Sequence, residues 1–313
     1  MRSRLGVGLR HWPRSSTDRS RGSGVRGPGC RIPSGWAVLN WETKSGSQGP
    51  LSGHIMIEYT ATDIAELTRS IVAIARAFGN SRPWWRGQAD ARWGLVPSLY
   101  QKGFQSKEGN INNRFRMMAK VRYPNCPTNN DAFPWLFLMQ HYRLPTRLLD
   151  WSESPLVAVY FSTEGEAFDD TDSALWALSP TGLNLPQLKR EAICMPGSRD
   201  LRQLSREAFV PNKDNPDSRI LSVITEQSDL RHMVQQSVFT IHGCDTSISD
   251  LPESDKYLAR ILIPGKAKAA FRQVLALFGI SRAALFPDLE NLATELASLD
   301  FLLRVEQATP VDC

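Results

Sequence analysis

The sequence predicts an α+β fold: one mixed domain in which several helices pack on a small, mostly antiparallel sheet. Three observations predict it. Helical patterning leads the folded part of the chain, strands and helices mix later, and no regular βαβ repeat is present to wind a parallel sheet. Of the 313 residues, 42% are apolar and 22% charged, so a core of ordinary size is available. No apolar run approaches the roughly 18 residues of a bilayer span. Membrane-span, collagen, coiled-coil and disulfide-scaffold readings fall together, and no internal repeat is visible.

The elements follow in order. Thr62 or Asp63 caps a first helix from about Ala61, in which Ile64, Leu67, Ile71, Ile74, Ala75 and Phe78 recur at helical spacing up to Gly79-Asn80. Residues 81–88 read as a short strand whose Gly87 ends it or admits another chain closely. Pro97 demotes residues 93–100 to a short or edge segment. A second helix spans 108–122, and Pro124 and Pro127 stop it. Asp131 caps a third helix that ends near Tyr142. Ser154 and Pro155 open a wholly apolar helix to Ser162, which implies burial on nearly all sides. Residues 172–179 read as a strand, 201–209 as a helix, and 220–225 as a strand or short helix. A helix over 229–235 feeds a strand over 237–242, another strand spans 257–263, and a helix spans 266–278. A last helix opens at Leu285-Phe286-Pro287-Asp288 and runs to about Leu303.

Charge divides the chain. The whole carries +5, yet residues 1–53 carry +7, which leaves −2 on the remainder. A basic folded domain would point to nucleic acid through counterion release. This one does not, and any nucleic-acid contact would belong to the tail. Residues 1–55 are rich in Arg, Ser, Gly and Pro and read as a disordered tail without the apolar core of a secretory signal. A transit peptide, a nonspecific RNA-binding arm and a natural start at Met56 are three alternatives for it. The folded domain is expected over 56–305, with a C-terminal tail at 306–313. Five cysteines show no CxxC spacing and five histidines no HExxH. No metal site is therefore expected, and the scattered thiols point to a reducing, cytoplasmic setting.

Three stretches carry candidate chemistry. In Trp85-Arg86-Gly87-Gln88, a guanidinium beside aromatics can hold a phosphate or carboxylate bidentately while an indole stacks. Equally, Arg86 can bridge backbone carbonyls or pair with Asp150. The run 140–151 packs His141, Thr146, Arg147 and Asp150 between apolar segments, where burial forces polar groups to pair. His141 can act as a general base or be a satisfied core histidine. Arg147 and Asp150 stand three apart, so a local ion pair is an alternative. Gln235-Gln236 places two amides at a strand entrance, to read a ligand's edge or to cap the strand. No P-loop, GxSxG or dinucleotide fingerprint is present.

These stretches resemble a family. WRGQ at 85–88, WGLVPSL at 93–99, QHYRLPTRLLDWSESPLVAVYFST at 140–163, QQSVFTIHG at 235–243 and LFPDLENLA at 285–293 are similar to the FRG domain. That family takes its name from a Phe/Tyr-Arg-Gly motif, and Trp85 stands here in the aromatic place. The likeness runs from about 62 to 295. Arg143 replaces a usual Gly, and Ser152 a common Thr. The family has no settled activity and is found mostly in bacteria and their mobile elements. The motif layout is loosely similar to ADP-ribosyltransferases, which implies Arg86 on the pyrophosphate of NAD and an aromatic on its nicotinamide. Gln236 then takes the place of the catalytic Glu and cannot supply its charge.

The expectation is one polar pocket that binds a phosphate-bearing nucleotide such as NAD. Trp85, Arg86, Gln88, Thr146, Arg147 and Gln235 would hold the ligand, and His141, Asp150 and Gln236 would orient it or move a proton. No cofactor is otherwise required. A nucleotide-modifying stress or phage-defence effector is one reading. The other is a non-catalytic sensor or interaction module whose polar run is a structural network. Oligomeric state is left open.

Overall fold

In the computed structural model, which describes residues 56–212, 214–225 and 229–297, seven strands build one open sheet. They are β1 (Ile57–Thr60), β2 (Trp84–Gln88), β3 (Leu148–Ser152), β4 (Ser173–Leu178), β5 (Ile220–Val223), β6 (Ser237–His242) and β7 (Leu258–Ile263), in the order β1-β7-β4-β2-β3-β6-β5. β1 pairs with β7 in parallel; every other pair of neighbours is antiparallel. Around the sheet lie α1 (Ile64–Ala77), α2 (Ser98–Gln101), α3 (Glu108–Ala119), α4 (Ala132–His141), α5 (Pro155–Thr163), α6 (Pro180–Leu188) and α7 (Arg199–Glu207), then α8 (Leu230–Val234), α9 (Lys268–Leu277), α10 (Arg282–Leu285) and α11 (Leu289–Ala297). The fold is α+β, as the mixed patterning predicts.

Strand alternation sorts the core. On β2, Trp84 joins the cluster containing Trp151, Trp176, Leu178 and Val238, whereas Trp85 joins Ala158, Leu175, Ala177 and Ile261. Leu148, Phe239 and Ile241 form a third cluster with Trp135 and Met139 of α4. Because Trp85 is paired with Ser152, and Ser152 shares a face with Leu148, the α4 and α5 clusters occupy the same face of the sheet. They meet at the β2–β3 joint, and that seam is where polar side chains gather.

Local signals set the helix ends. Asp63 caps α1 by accepting from Glu66 N at 2.8 Å, and the Glu66 carboxylate accepts from Thr62 N at 2.8 Å in return. Asp131 and Ser154 cap α4 and α5, with Pro155 in the first turn. The chain departs from the sequence reading in five places. Residues 93–100, read as a short or edge segment, form no strand, and α2 starts at Ser98 directly after Pro97. β1 is an extra edge strand of four mostly exposed residues, too short to leave a pattern. β3 lies inside the polar run, where Asp150 interrupts its apolar residues. α6 forms despite Gly182 and Pro186 within it. α10 is an extra short helix ahead of the expected last one, which is α11; Phe286, before Pro287, leaves the helical conformation between them, and the expected end near Leu303 lies outside the described residues. The tails assigned to 1–55 and 306–313 lie outside the described residues. Among the described residues no helix is long and apolar enough to cross a membrane.

Gly87 shows how tightly α5 is seated. A Cβ there would stand 1.8 Å from the Ala158 carbonyl oxygen and 2.5 Å from Ser162 N. Both obstacles are backbone, so neither can rotate away. Gly87→Ala is expected to lower the unfolding free energy by about 3 kcal/mol, at the upper end of overpacking costs. Gly94→Ala, whose Cβ would meet nothing nearer than 3.6 Å, should stay within about 0.5 kcal/mol in the same denaturant titration.

Candidate functional site

The joint between β2 and β3 is the weak place in the ladder. β2 pairs with β4 at five positions and β3 with β6 at five, yet β2 and β3 share only Trp85↔Ser152. Beyond that position the Asp150 carbonyl receives Arg86 Nη1 at 2.7 Å. A guanidinium thus bridges strands whose backbones have parted. Arg86 Nε lies buried in the same place without an acceptor. Burial lowers the Arg86 pKa and the Asp150 charge pulls it back. Burial likewise pushes the Asp150 carboxyl above its ordinary range, against the pull of Arg86, a Gln140 hydrogen bond and Arg231.

A directed chain of hydrogen bonds holds that carboxyl. Leu148 N donates to Thr146 Oγ1 at 3.1 Å, Thr146 Oγ1 donates to Gln140 Oε1 at 2.6 Å, and Gln140 Nε2 donates to Asp150 Oδ2 at 2.7 Å. The end of α4 also carries His141, whose Nδ1 lies 3.3 Å from Asp229 Oδ2. Asp229 opens α8, and two residues on, Arg231 stacks over the Phe286 ring at 4.7 Å and bears electrostatically on Asp150 and His141. Arg231 thus bears both on Asp150 at the joint and on His141 at the end of α4, which faces Asp229. Arg86, His141 and Asp150 are all partly exposed to solvent.

Residues 81–171 match the family model of the FRG domain. The chain carries an FRG domain. Searches among curated proteins and among solved structures return no match. The match takes in the FRG residues of β2, α4 and β3, and so covers Arg86, His141 and Asp150. α8 and β6, which bring Asp229, Arg231 and Gln236, lie beyond it. In the FRG motif itself, Trp85 and Gly87 face α5, while Arg86 alternates to the opposite face of β2 and donates across the joint to the Asp150 carbonyl.

The other residues expected at the site have internal partners. Gln88 donates to the Gly94 carbonyl and accepts from Trp176 Nε1. Arg147 is buried and pairs with Glu108 at 2.8 and 2.5 Å, and also donates to the Leu204 carbonyl. It does not pair with Asp150, because three residues apart along extended chain places two side chains on opposite faces. Gln235 donates to the Leu285 carbonyl, Trp85 is buried against α5, and Thr146 reaches Asp150 only through Gln140. Gln236 is exposed at a φ of 46° and its carbonyl accepts from Glu153 N. The sequence reading passed over Gln140, Asp229 and Arg231. For Asp229 a signal was present: an aspartate that caps with one oxygen keeps a second to offer. Among the described residues no cluster of His, Cys, Asp and Glu could hold a metal ion. A polar cavity of about 710 Å³ lies elsewhere, lined by Arg190, Arg199, Asp200, Asp217 and Arg219.

His242 sits under the FRG motif, fully buried, with Nε2 3.0 Å from Thr240 Oγ1 and Nδ1 without a partner. Burial, then the charges of Arg86 and Arg147, lower its pKa to about 3. As pH falls below 6.5 the unfolded chain protonates this histidine while the folded chain does not. The stability it contributes is complete above 6.5 and is lost on acidification towards 3, by roughly 1.4 kcal/mol per pH unit for one proton. His242→Gln should therefore show a shallower loss of unfolding free energy between pH 6 and pH 4, by about 1 kcal/mol per unit. Equal slopes for the two proteins would refute the assignment.

Proposed function

We propose that the seam at the β2–β3 joint binds a phosphate-bearing nucleotide of the NAD or ADP-ribose class. The observation that carries this reading is Arg86 Nε, a buried donor without an acceptor, near a carboxyl whose pKa burial raises. A structural arginine is expected to spend its donors, since a buried unmet donor costs about 1–3 kcal/mol. A phosphate oxygen would satisfy it with a charge-assisted bond. Arg231 adds positive charge from α8, and His141 and Asp150 are placed to orient the ligand or to move a proton. The loose likeness to ADP-ribosyltransferases supports the same ligand class. It supports transfer less, because Gln236 has no charge with which to stabilise an oxocarbenium ion. A role in bacterial stress or phage defence, in the cytoplasm, is in keeping with this chemistry.

A second reading is favoured by the bonding of Gln88, Thr146, Arg147 and Gln235, all of which are engaged within the protein. On that reading the FRG domain is a sensor or interaction module that binds without turning its ligand over.

Calorimetric titration of the full chain with NAD and with ADP-ribose tests the proposal. Binding is expected, weakened roughly 10- to 100-fold in Arg86→Ala, the loss of one or two charge-assisted bonds at about 1.4 kcal/mol per decade. Arg86→Lys keeps the charge and the fold but loses the fork, and should fall between. No heat with either nucleotide overturns the proposal. Binding without consumption of NAD selects the sensor reading.

A further inference from the structure

Two half-buried side chains meet at the rim of the seam, from helices far apart in sequence. His141 is the last residue of α4 and Asp229 the N-cap of α8. Asp229 divides its two oxygens. Oδ1 accepts from His232 N at 2.8 Å, which is the capping bond, and Oδ2 stands 3.3 Å from His141 Nδ1. The capping bond fixes the carboxylate, so the second oxygen is held in place by the helix itself. Side-chain exposures of 29% for His141 and 33% for Asp229 leave both in reach of water. His141 Nε2 meets no hydrogen-bond partner among the described residues, and the ring lies edge-on to Tyr142, 5.0 Å between centroids.

A carboxylate oxygen at 3.3 Å repels a ring-nitrogen lone pair and attracts an N–H, so the nitrogen facing it carries the hydrogen. We infer that Asp229 is a positioning residue that fixes His141 as the Nδ1–H tautomer and thereby presents Nε2 as a hydrogen-bond acceptor at the mouth of the site. The functional consequence rests on the nucleotide reading above; the tautomer does not. Three titratable neighbours besides Tyr142 bear on the ring. Asp229 favours its protonation, whereas Arg231 opposes it and His232 is coupled to it. Burial outweighs them and holds the His141 pKa below its ordinary value. At neutral pH the imidazole is then uncharged, and Nε2 is free to accept from a ligand hydroxyl or water. This gives His141 a defined chemical role that its place in the sequence leaves open.

Nitrogen-15 NMR of the full chain, labelled at histidine, reads the tautomer without any ligand. The wild type should show His141 as Nδ1–H at pH 8. Asp229→Asn keeps the cap, since asparagine caps as well as aspartate, but turns an amide donor towards Nδ1. The tautomer should reverse to Nε2–H and the His141 pKa should fall. Asp229→Ser also keeps the cap and offers His141 nothing, so the Nδ1–H preference should be lost there too. An Nε2–H wild type overturns the inference, and so does an unchanged tautomer in both variants. Titration of the same samples with ADP-ribose separates the two claims. A reversed tautomer with no nucleotide binding leaves the positioning role standing and removes the nucleotide.

Discussion

The hydrogen bond from Arg86 to the Asp150 carbonyl closes the one place where the sheet fails to pair. Four strands lie on one side of the joint and three on the other, and the two groups share a single register position. Without a donor in the gap, the Asp150 carbonyl would be a buried backbone acceptor with no ladder partner. A side chain supplies that donor from β2, where a backbone N–H can no longer reach. The cost is a guanidinium taken partly out of water, with one of its nitrogens unmet.

The surrounding residues are arranged by that compromise. The α4 and α5 clusters approach the joint from the same face as separate clusters, and the Asp150 carboxyl and its partner Gln140 lie between them. Gly87 lets α5 descend onto β2, which brings the apolar wall close to Asp150 and raises its pKa through desolvation. Arg147 shows what a purely structural arginine looks like in the same fold. It is buried, forms two bonds to Glu108, and spends a further nitrogen on the Leu204 carbonyl. Arg86 spends one nitrogen on a carbonyl and leaves another idle. The two guanidiniums differ in satisfaction as well as in burial, and the more exposed one is the less satisfied.

Much of the architecture was legible because it rests on local signals. The caps at Asp63, Asp131 and Ser154, the alternation in 237–242 and the stop at Gly79 all act within a few residues. β3 was not legible, since its period is carried by five residues that include an aspartate and a serine, and its partners are remote. Tertiary pairing decided it. The site was legible in its parts but not in its connections. Arg86, His141 and Asp150 stood out as types, and the alternative of Arg86 on a backbone carbonyl was visible from the start. The spacing of Arg147 from Asp150 suits an ion pair only on a helix, and the strand sends the two apart, so Arg147 pairs with Glu108 instead. Asp229 and Arg231 were hidden in what reads as an ordinary short helix, because only the packing of α8 against the end of α4 gives them a role.

The direction of the hydrogen-bond chain adds a constraint that distances alone do not. Leu148 N is a backbone donor and has no alternative polarity, so Thr146 Oγ1 must accept there and give its own hydrogen to Gln140 Oε1. The Gln140 amide is thereby oriented, its NH2 group towards Asp150 Oδ2. That oxygen can only accept. When the raised pKa of Asp150 is met by a proton, the proton must sit on Oδ1, which takes no hydrogen bond from another described residue. One β-strand amide, acting through two side chains, thus decides which oxygen of a carboxyl at the joint is available for chemistry.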